Sequence, residues 1–138
     1  MSYHQHKLNV FKLKSLPLFI KVTFLIYATC FLIGGLSHWI DILDGGVFPY
    51  KNIPFIFNSY LASLAIFDFI VVLLLFIRPI SALLLAICIM VSDLIVDFYV
   101  GYHYWGINIQ TNLRLQLLVT FGLFVFISAP LLIKYLKK

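Results

Sequence analysis

Residues 55–100 read FIFNSYLASLAIFDFIVVLLLFIRPISALLLAICIMVSDLIVDFYV. In this long apolar stretch the charged side chains are Asp68, Arg78, Asp93 and Asp97. A membrane-spanning helix needs about 20 apolar residues, so the stretch is long enough for two spans. A proline is tolerated in the first turn of a helix and disfavours helix at the residue before it. The Arg78-Pro79 pair therefore predicts a tight antiparallel hairpin of two membrane helices.

Two further apolar stretches flank this hairpin. The four predicted spans are residues 17–40, 55–77, 79–100 and 113–133. The composition agrees, because 63% of the residues are hydrophobic and only 11% are charged, whereas a soluble domain carries about 25% charged residues. We therefore expect residues 1–138 to form a single all-α domain, a polytopic membrane protein built as a four-transmembrane-helix bundle.

The basic residues predict how the spans are oriented. Lys and Arg accumulate on the cytoplasmic side of a membrane protein. One side of the predicted bundle holds Lys7, Lys12, Lys14, Lys21, Arg78, Lys134, Lys137 and Lys138. The other side holds Lys51 and Arg114. We expect a multi-pass protein of the bacterial inner membrane with both termini in the cytoplasm, and residues 7–14 as an interfacial anchor.

The net charge of +5 does not indicate nucleic-acid binding. A nucleic-acid-binding protein gathers its basic side chains on one polar surface, and here they lie at the edges of apolar runs. The lipid bilayer is the expected partner. The two outer connections, residues 41–54 and 101–112, are rich in aromatic side chains that predict an interfacial belt. Its members are Trp39, Phe48, Tyr50, Tyr102, Tyr104 and Trp105.

Several polar side chains fall inside the predicted spans, where an ionisable group costs roughly 2.5–3.5 kcal/mol. A helix rises about 1.5 Å per residue, which places Asp68 about 15 Å from the inner face and Asp93 and Asp97 at about 21 and 27 Å. Gln116 falls at about 25 Å, and His38 and Asn58 at about 30 Å. These heights predict a polar column that rises from the midplane to the outer surface, with no such groups in the inner half.

Helical phase predicts that the column faces the bundle interior. Asp93 and Asp97 are four residues apart and share one face. Asn112, Gln116 and Thr120 form the polar stripe of the last span, and Arg114 points away from it toward the headgroups. Burying the polar faces together is the cheapest arrangement in lipid. The predicted ligand-binding residues are Asp68, Asp93, Asp97, Gln116, Asn58, His38 and Asp41.

Each of these groups also has a structural interpretation. His38 and Asp41 could be an interfacial pair at a helix end, and Asp93 and Asp97 could bond to Gln116, Asn58 or Tyr60 and so hold the helices together. Asp68 could be a protonated carboxyl bonded to a backbone carbonyl. No metal site is predicted, because the His-x-x-Asp and Asp-x-x-x-Asp spacings are common by chance. No catalytic residue is predicted either, because no histidine lies within a helical turn of a plausible Ser or Cys nucleophile.

Two segments carry a resemblance to a known family. Residues 31–39 (FLIGGLSHW) and 67–90 (FDFIVVLLLFIRPISALLLAICIM), together with the chain length, resemble the DoxX and DoxX-like families of small bacterial four-helix membrane proteins. The resemblance implies that Asp68 occupies the acidic position of the second span and Arg78 the basic turn. It also implies redox- or quinone-associated roles, often as an accessory subunit. A weaker likeness to EXPERA-type sterol-binding proteins rests on four spans with buried acids.

Two classes of function follow from the residues. In the first, the outward-opening pocket binds a small amphiphilic or cationic ligand, such as a quinone, or relays protons. Asp68 is then the deep charge, Asp93 and Asp97 the counter-charges, and His38 the gate at the mouth. In the second, the chain is a non-catalytic accessory or structural subunit that docks a membrane-protein partner or a second copy. No reaction is indicated, and the sequence leaves the cofactor and the ligand open.

Overall fold

The computed structural model describes residues 16–108 and 110–137. These residues form four α-helices and no β-strand: α1 (Leu18–Gly45), α2 (Phe55–Ile77), α3 (Pro79–His103) and α4 (Leu113–Leu136). All four are long and apolar enough to cross a bilayer. The prediction of an all-α, four-transmembrane-helix bundle is confirmed. The predicted interfacial anchor, residues 7–14, lies outside the described residues.

The helix limits agree with the predicted spans in the hydrocarbon region and exceed them at the ends. Helix α2 begins and ends as predicted, but α1 continues to Gly45 and α3 to His103. Apolar length marks only the part of a helix that lipid surrounds, whereas the backbone hydrogen bonds continue into the interface. Helix α1 stops where Gly46 adopts a φ of 86°, which a glycine adopts without steric strain. Asp41 therefore lies on the last turns of α1 and not in the loop.

Neighbouring helices pack in chain order, and α4 closes the ring against α1. We call the end that contains Pro17, Arg78 and Lys137 the hairpin end, and the end that contains residues 46–54 and 104–112 the loop end. Since the chain crosses the bundle four times, its first and last described residues both lie at the hairpin end. The two longer connections meet at the loop end.

Glycines allow close approach at two of the helix contacts. A Cβ on Gly35 of α1 would meet the Phe69 ring of α2 at 3.1 Å. A Cβ on Gly122 of α4 would meet the Leu94 Cδ1 of α3 at 2.9 Å. Small residues are used in this way in membranes because van der Waals packing, and not hydrophobic burial, holds helices together there.

Aromatic rings fill the contact between α1 and α4. Among the four pairs of neighbouring helices, these two backbones come close at the fewest positions. The ring centroids of Tyr27 and Phe31 lie 6.0 and 5.4 Å from that of Phe121. The Tyr27 hydroxyl also hydrogen-bonds with the Ser128 hydroxyl across 3.0 Å. Tyr27 is about 14 Å along α1 from the hairpin end. The bond between Tyr27 and Ser128 thus adds a polar contact between α1 and α4 at about the height of Asp68.

Candidate functional site

Tyr50, in the connection between α1 and α2, organises a hydrogen-bonded network at the loop end. Its hydroxyl donates to Asp41 Oδ2 at 2.6 Å and lies 3.1 Å from His38 Nδ1. Because the hydroxyl proton is directed to Asp41, the His38 ring N–H is the donor to Tyr50. The Asn58 amide pairs with the Tyr50 backbone: Asn58 Oδ1 accepts from Tyr50 N at 3.3 Å, and Asn58 Nδ2 donates to Tyr50 O at 2.7 Å.

This network ties the first connection to α1 and α2. Burial and the hydrogen bond to Asp41 raise the pKa of Tyr50, so the phenol keeps its proton at neutral pH. Its ring lies 5.9 Å from that of Trp105, in the second connection. Tyr50 is therefore more than a member of an interfacial belt. His38, the predicted gate, is buried and bonded to Tyr50.

Three carboxyls line the interior on α2 and α3. Asp68 is 5% exposed, and Asp93 and Asp97 are each 8% exposed. Asp93 lies close enough to interact electrostatically with both Asp97 and Asp68. All three side chains thus turn away from lipid, as helical phase predicts. We call these three residues the acidic column.

Two oxygens of the acidic column are buried without a hydrogen-bond partner in the described part of the chain. They are Oδ1 of Asp93 and Oδ1 of Asp97. The Tyr60 hydroxyl pairs instead with Ser92 Oγ across 2.7 Å, and the Asn58 amide pairs with Tyr50. An unsatisfied buried acceptor costs about 1–3 kcal/mol, so it calls for an explanation. These two oxygens do not act as interhelical hydrogen-bond acceptors, and they are available to a donor from outside the chain.

Asp68 packs against a glycine of the neighbouring helix. A Cβ on Gly34 would lie 2.7 Å from Asp68 Oδ2, and a Cβ on Gly35 would lie 3.2 Å from Asp68 Cβ. The two glycines of α1 thus leave the space that the carboxyl occupies. Gly34, Gly35 and Asp68 therefore form one packing contact between α1 and α2.

Arg114, near the start of α4, is the basic side chain whose charge acts on these groups among the described residues. Its strongest electrostatic partner is Asp97, followed by Tyr50, Asp41 and Asp93. The side chain as a whole is exposed, but its charge reaches both the acidic column and the Tyr50 network. The exposed side chain agrees with the predicted place of Arg114 near the headgroups, and the charge acts on the polar interior from there. The charged end of a long side chain can lie well away from the helix face on which its Cα stands.

Gln116 does not join the acidic column as predicted. It is exposed, and its amide donates to the Gln110 carbonyl oxygen at 3.0 Å. Its stripe neighbours also bond locally: Asn112 Oδ1 accepts from Leu115 N at 3.0 Å, and the Thr120 hydroxyl donates to Gln116 O at 2.8 Å. The first turn of a helix has free backbone N–H groups that such side chains satisfy. The polar stripe of α4 thus serves the helix start.

A groove of about 420 Å³ lies at the loop end between α3 and α4. It is lined by Phe98, Gly101, Tyr102, Gly106, Ile107, Asn108 and Leu115. The predicted pocket residues do not line it, although Asp97 directly precedes Phe98. Among residues 16–108 and 110–137, no three His, Cys, Asp or Glu side chains are arranged to hold a metal ion.

The chain matches no protein-family model, no curated protein and no solved structure. The resemblance to the DoxX-like families stays a prediction. Any functional conclusion therefore depends on the site itself.

Proposed function

We propose that this membrane protein binds a small cationic ligand at the acidic column and admits it from the loop end. The observation that supports this proposal is the pair of buried, unpartnered oxygens on Asp93 and Asp97. A carboxylate that is buried without a partner is unfavourable, and a cation that donates hydrogen bonds to it relieves that cost.

Charge and spacing favour one cation shared by two carboxyls. The three acids of the column face one guanidinium, that of Arg114, among the charged groups that act on Asp93 in the described residues. Asp93 and Asp97 are four residues apart on one helical face. One ammonium group can therefore donate to both Oδ1 atoms. With all three carboxyls ionised, the column and Arg114 together carry a net negative charge, and a positive ligand reduces it.

The same arrangement supports proton relay as a variant of this function. The acidic column starts near the midplane with Asp68 and continues along α3 toward the loop end. Chains of carboxyls inside membranes commonly carry protons. We further propose that the loop end faces the outside of a bacterial inner membrane, because most basic residues flank the opposite end.

A second candidate is a non-catalytic accessory subunit of a membrane complex, for which the DoxX-like resemblance implies a redox-associated role. The observation that favours it is the fit of Asp68 against Gly34. In this case the polar groups determine helix packing, and the exposed helix faces contact a membrane-protein partner or a second copy. No catalytic residue is proposed in either case.

The test removes charge but keeps shape. Asp93→Asn and Asp97→Asn are prepared in zwitterionic nanodiscs, and binding of butylammonium, a primary ammonium that can donate hydrogen bonds, is measured by calorimetry. Each variant should bind the probe about tenfold or more weakly, since a hydrogen bond to a charged group contributes roughly 1.5–3 kcal/mol. Asp44→Asn is the matched control, because Asp44 is an exposed acid near the same end of the bundle.

The outcomes separate the two candidates. Wild-type affinity in both Asn variants would overturn the ligand proposal. If those variants also unfold more easily than the wild type, the packing role is supported. Loss of affinity with unchanged thermal unfolding supports the cation site. An equal loss in Asp44→Asn would mean that only the general negative charge of the loop end attracts the probe, which also overturns the proposal.

A further inference from the structure

The groove at the loop end adjoins the outer end of the acidic column. Phe98 follows Asp97 directly on α3, and Gly101 follows it by four residues, about 6 Å along the helix. Gly101 thus lies on the same face as Asp97, one turn nearer the loop end. On the other wall, Leu115 directly follows Arg114. A ligand whose charge reaches Asp97 therefore has its remaining atoms beside this groove.

The lining of the groove suits an apolar group. Its walls are mostly aromatic and aliphatic, with Phe98, Tyr102 and Ile107 among them, and Asn108 is the polar side chain of the lining. The volume of about 420 Å³ falls in the range of small-molecule sites, about 300–1,000 Å³. A cation without an apolar group would make no apolar contact with these walls.

We infer that the ligand is a cationic amphiphile, whose ammonium group is bound by Asp97 and Asp93 and whose short alkyl or aryl tail occupies the groove. This inference rests on the proposed function, and it specifies the chemical class of the ligand. The orientation is opposite to that of a lipid, because the charged group lies deeper than the tail. An amphiphile that simply dissolves in the bilayer has its charge at the headgroups, so the two modes of binding are distinguishable.

Gly101 allows the volume of the groove to be changed stepwise. A Cβ at this position would meet Ile107 Cβ at 3.7 Å, which is an ordinary contact. Gly101→Ala should therefore fold and bind as the wild type does. Gly101→Leu places a branched side chain where the tail lies. Ile107→Phe enlarges a second side chain of the lining, in the connection that follows α3.

The experiment compares primary ammonium probes with methyl, butyl and hexyl tails, titrated into protein in zwitterionic nanodiscs, with empty nanodiscs subtracted. In the wild type and in Gly101→Ala, affinity should rise up to about fourfold for each buried methylene. In Gly101→Leu and Ile107→Phe this rise should disappear, while binding of the methyl probe is unchanged. Asp97→Asn should weaken all three probes by a similar factor and keep the rise.

The two proposals fail in different ways. If tail length has no effect in the wild type, or if the rise persists in both filled variants, the groove inference is overturned and the cation site stands. If Asp97→Asn leaves all three affinities unchanged, the cation site fails, and the inference fails with it. Size exclusion and thermal unfolding establish that each variant is folded. Should Gly101→Leu not fold, Ile107→Phe alone decides the result.

Discussion

At Gly34, helix α1 leaves room for a carboxyl of α2. A Cβ on residue 34 would lie only 2.7 Å from the Asp68 Oδ2 atom. A glycine inside a helix is unfavourable by about 1 kcal/mol relative to alanine, so its presence here needs a cause. The space that Asp68 occupies supplies one. Asp68 has a short, buried side chain, and it has little freedom to move aside.

We expect Gly34→Ala to lower the free energy of unfolding by about 1–3 kcal/mol, because overpacking outweighs the gain in helix propensity. Unfolding by SDS in detergent micelles measures the change. Gly101→Ala is the control, since its Cβ makes only an ordinary contact, and it should be neutral or slightly stabilising. Equal stability of the two variants would show that the carboxyl moves freely.

Asp68→Ala tests whether the carboxyl is the cause. In the double variant Gly34→Ala/Asp68→Ala the colliding oxygen is gone, so the cost of the alanine at position 34 should largely disappear. The two effects are therefore non-additive, as expected for residues in contact. Strict additivity would assign the cost to some other neighbour.

The remaining polar residues differ in whether the chain satisfies them. His38, Asp41 and Asn58 all bond to Tyr50, so their hydrogen-bonding capacity is used in holding a loop. Asp93 and Asp97 each keep an unpartnered buried oxygen. This contrast separates the residues that hold the loop end together from Asp93 and Asp97, the residues of the proposed cation site.

At the scale of elements, the helix contacts are of different kinds. Helices α1 and α2 meet across glycines, α3 and α4 meet at Gly122, and α2 and α3 are joined by a tight turn. The contact between α1 and α4 depends on rings, with Phe121 packed against Tyr27, Phe31 and Phe124. In lipid such a contact is held by van der Waals packing, so removing a ring weakens the contact between the two helices.

We expect Phe121→Ala to lower the free energy of unfolding by about 2 kcal/mol. Replacing a fully buried phenylalanine by alanine in a soluble protein costs roughly 3–5 kcal/mol, and the loss is smaller here because Phe121 is half-buried. Phe76→Ala is the matched control, since Phe76 is 44% exposed on α2. It should change the stability by less than about 0.5 kcal/mol. The same unfolding assay measures both variants, and an equal loss would contradict a structural role for the α1–α4 rings.

For the whole molecule, four spans place the first and last described residues, 16 and 137, on one side of the membrane. The basic residues predict that this side is the cytoplasm. The mouth of the proposed site then faces outward, on the side where Lys51 and Arg114 are the basic residues of the described chain. The direction of ligand access thus depends on the orientation.

Labelling with an impermeant maleimide tests the orientation. Cys30 and Cys88 are first replaced by alanine, and a single cysteine is then introduced at Val47 or at Lys137. Val47→Cys, in an exposed part of the first connection, should react in intact cells. Lys137→Cys should react only after permeabilisation. The reverse pattern would turn the loop end toward the cytoplasm and leave the fold unchanged.

The four spans, the hairpin at Arg78-Pro79 and the burial of Asp68, Asp93 and Asp97 could all be predicted from the sequence. Apolar length, proline geometry and the cost of a charge in lipid are local quantities that can be read along the chain. Helical phase then places each acid relative to its own helix. These predictions hold because lipid imposes the same constraints on every span.

The hydrogen-bond partners of the polar side chains, in contrast, are visible only in the folded structure. The partners of Tyr50 depend on the path of residues 46–54, and the reach of Arg114 depends on how its long side chain bends. Gln116 was assigned to the column by phase, but it bonds to the backbone of the adjoining connection. Hydrogen bonds depend on distances of a few ångströms between elements remote in sequence, and periodicity along one helix does not contain those distances.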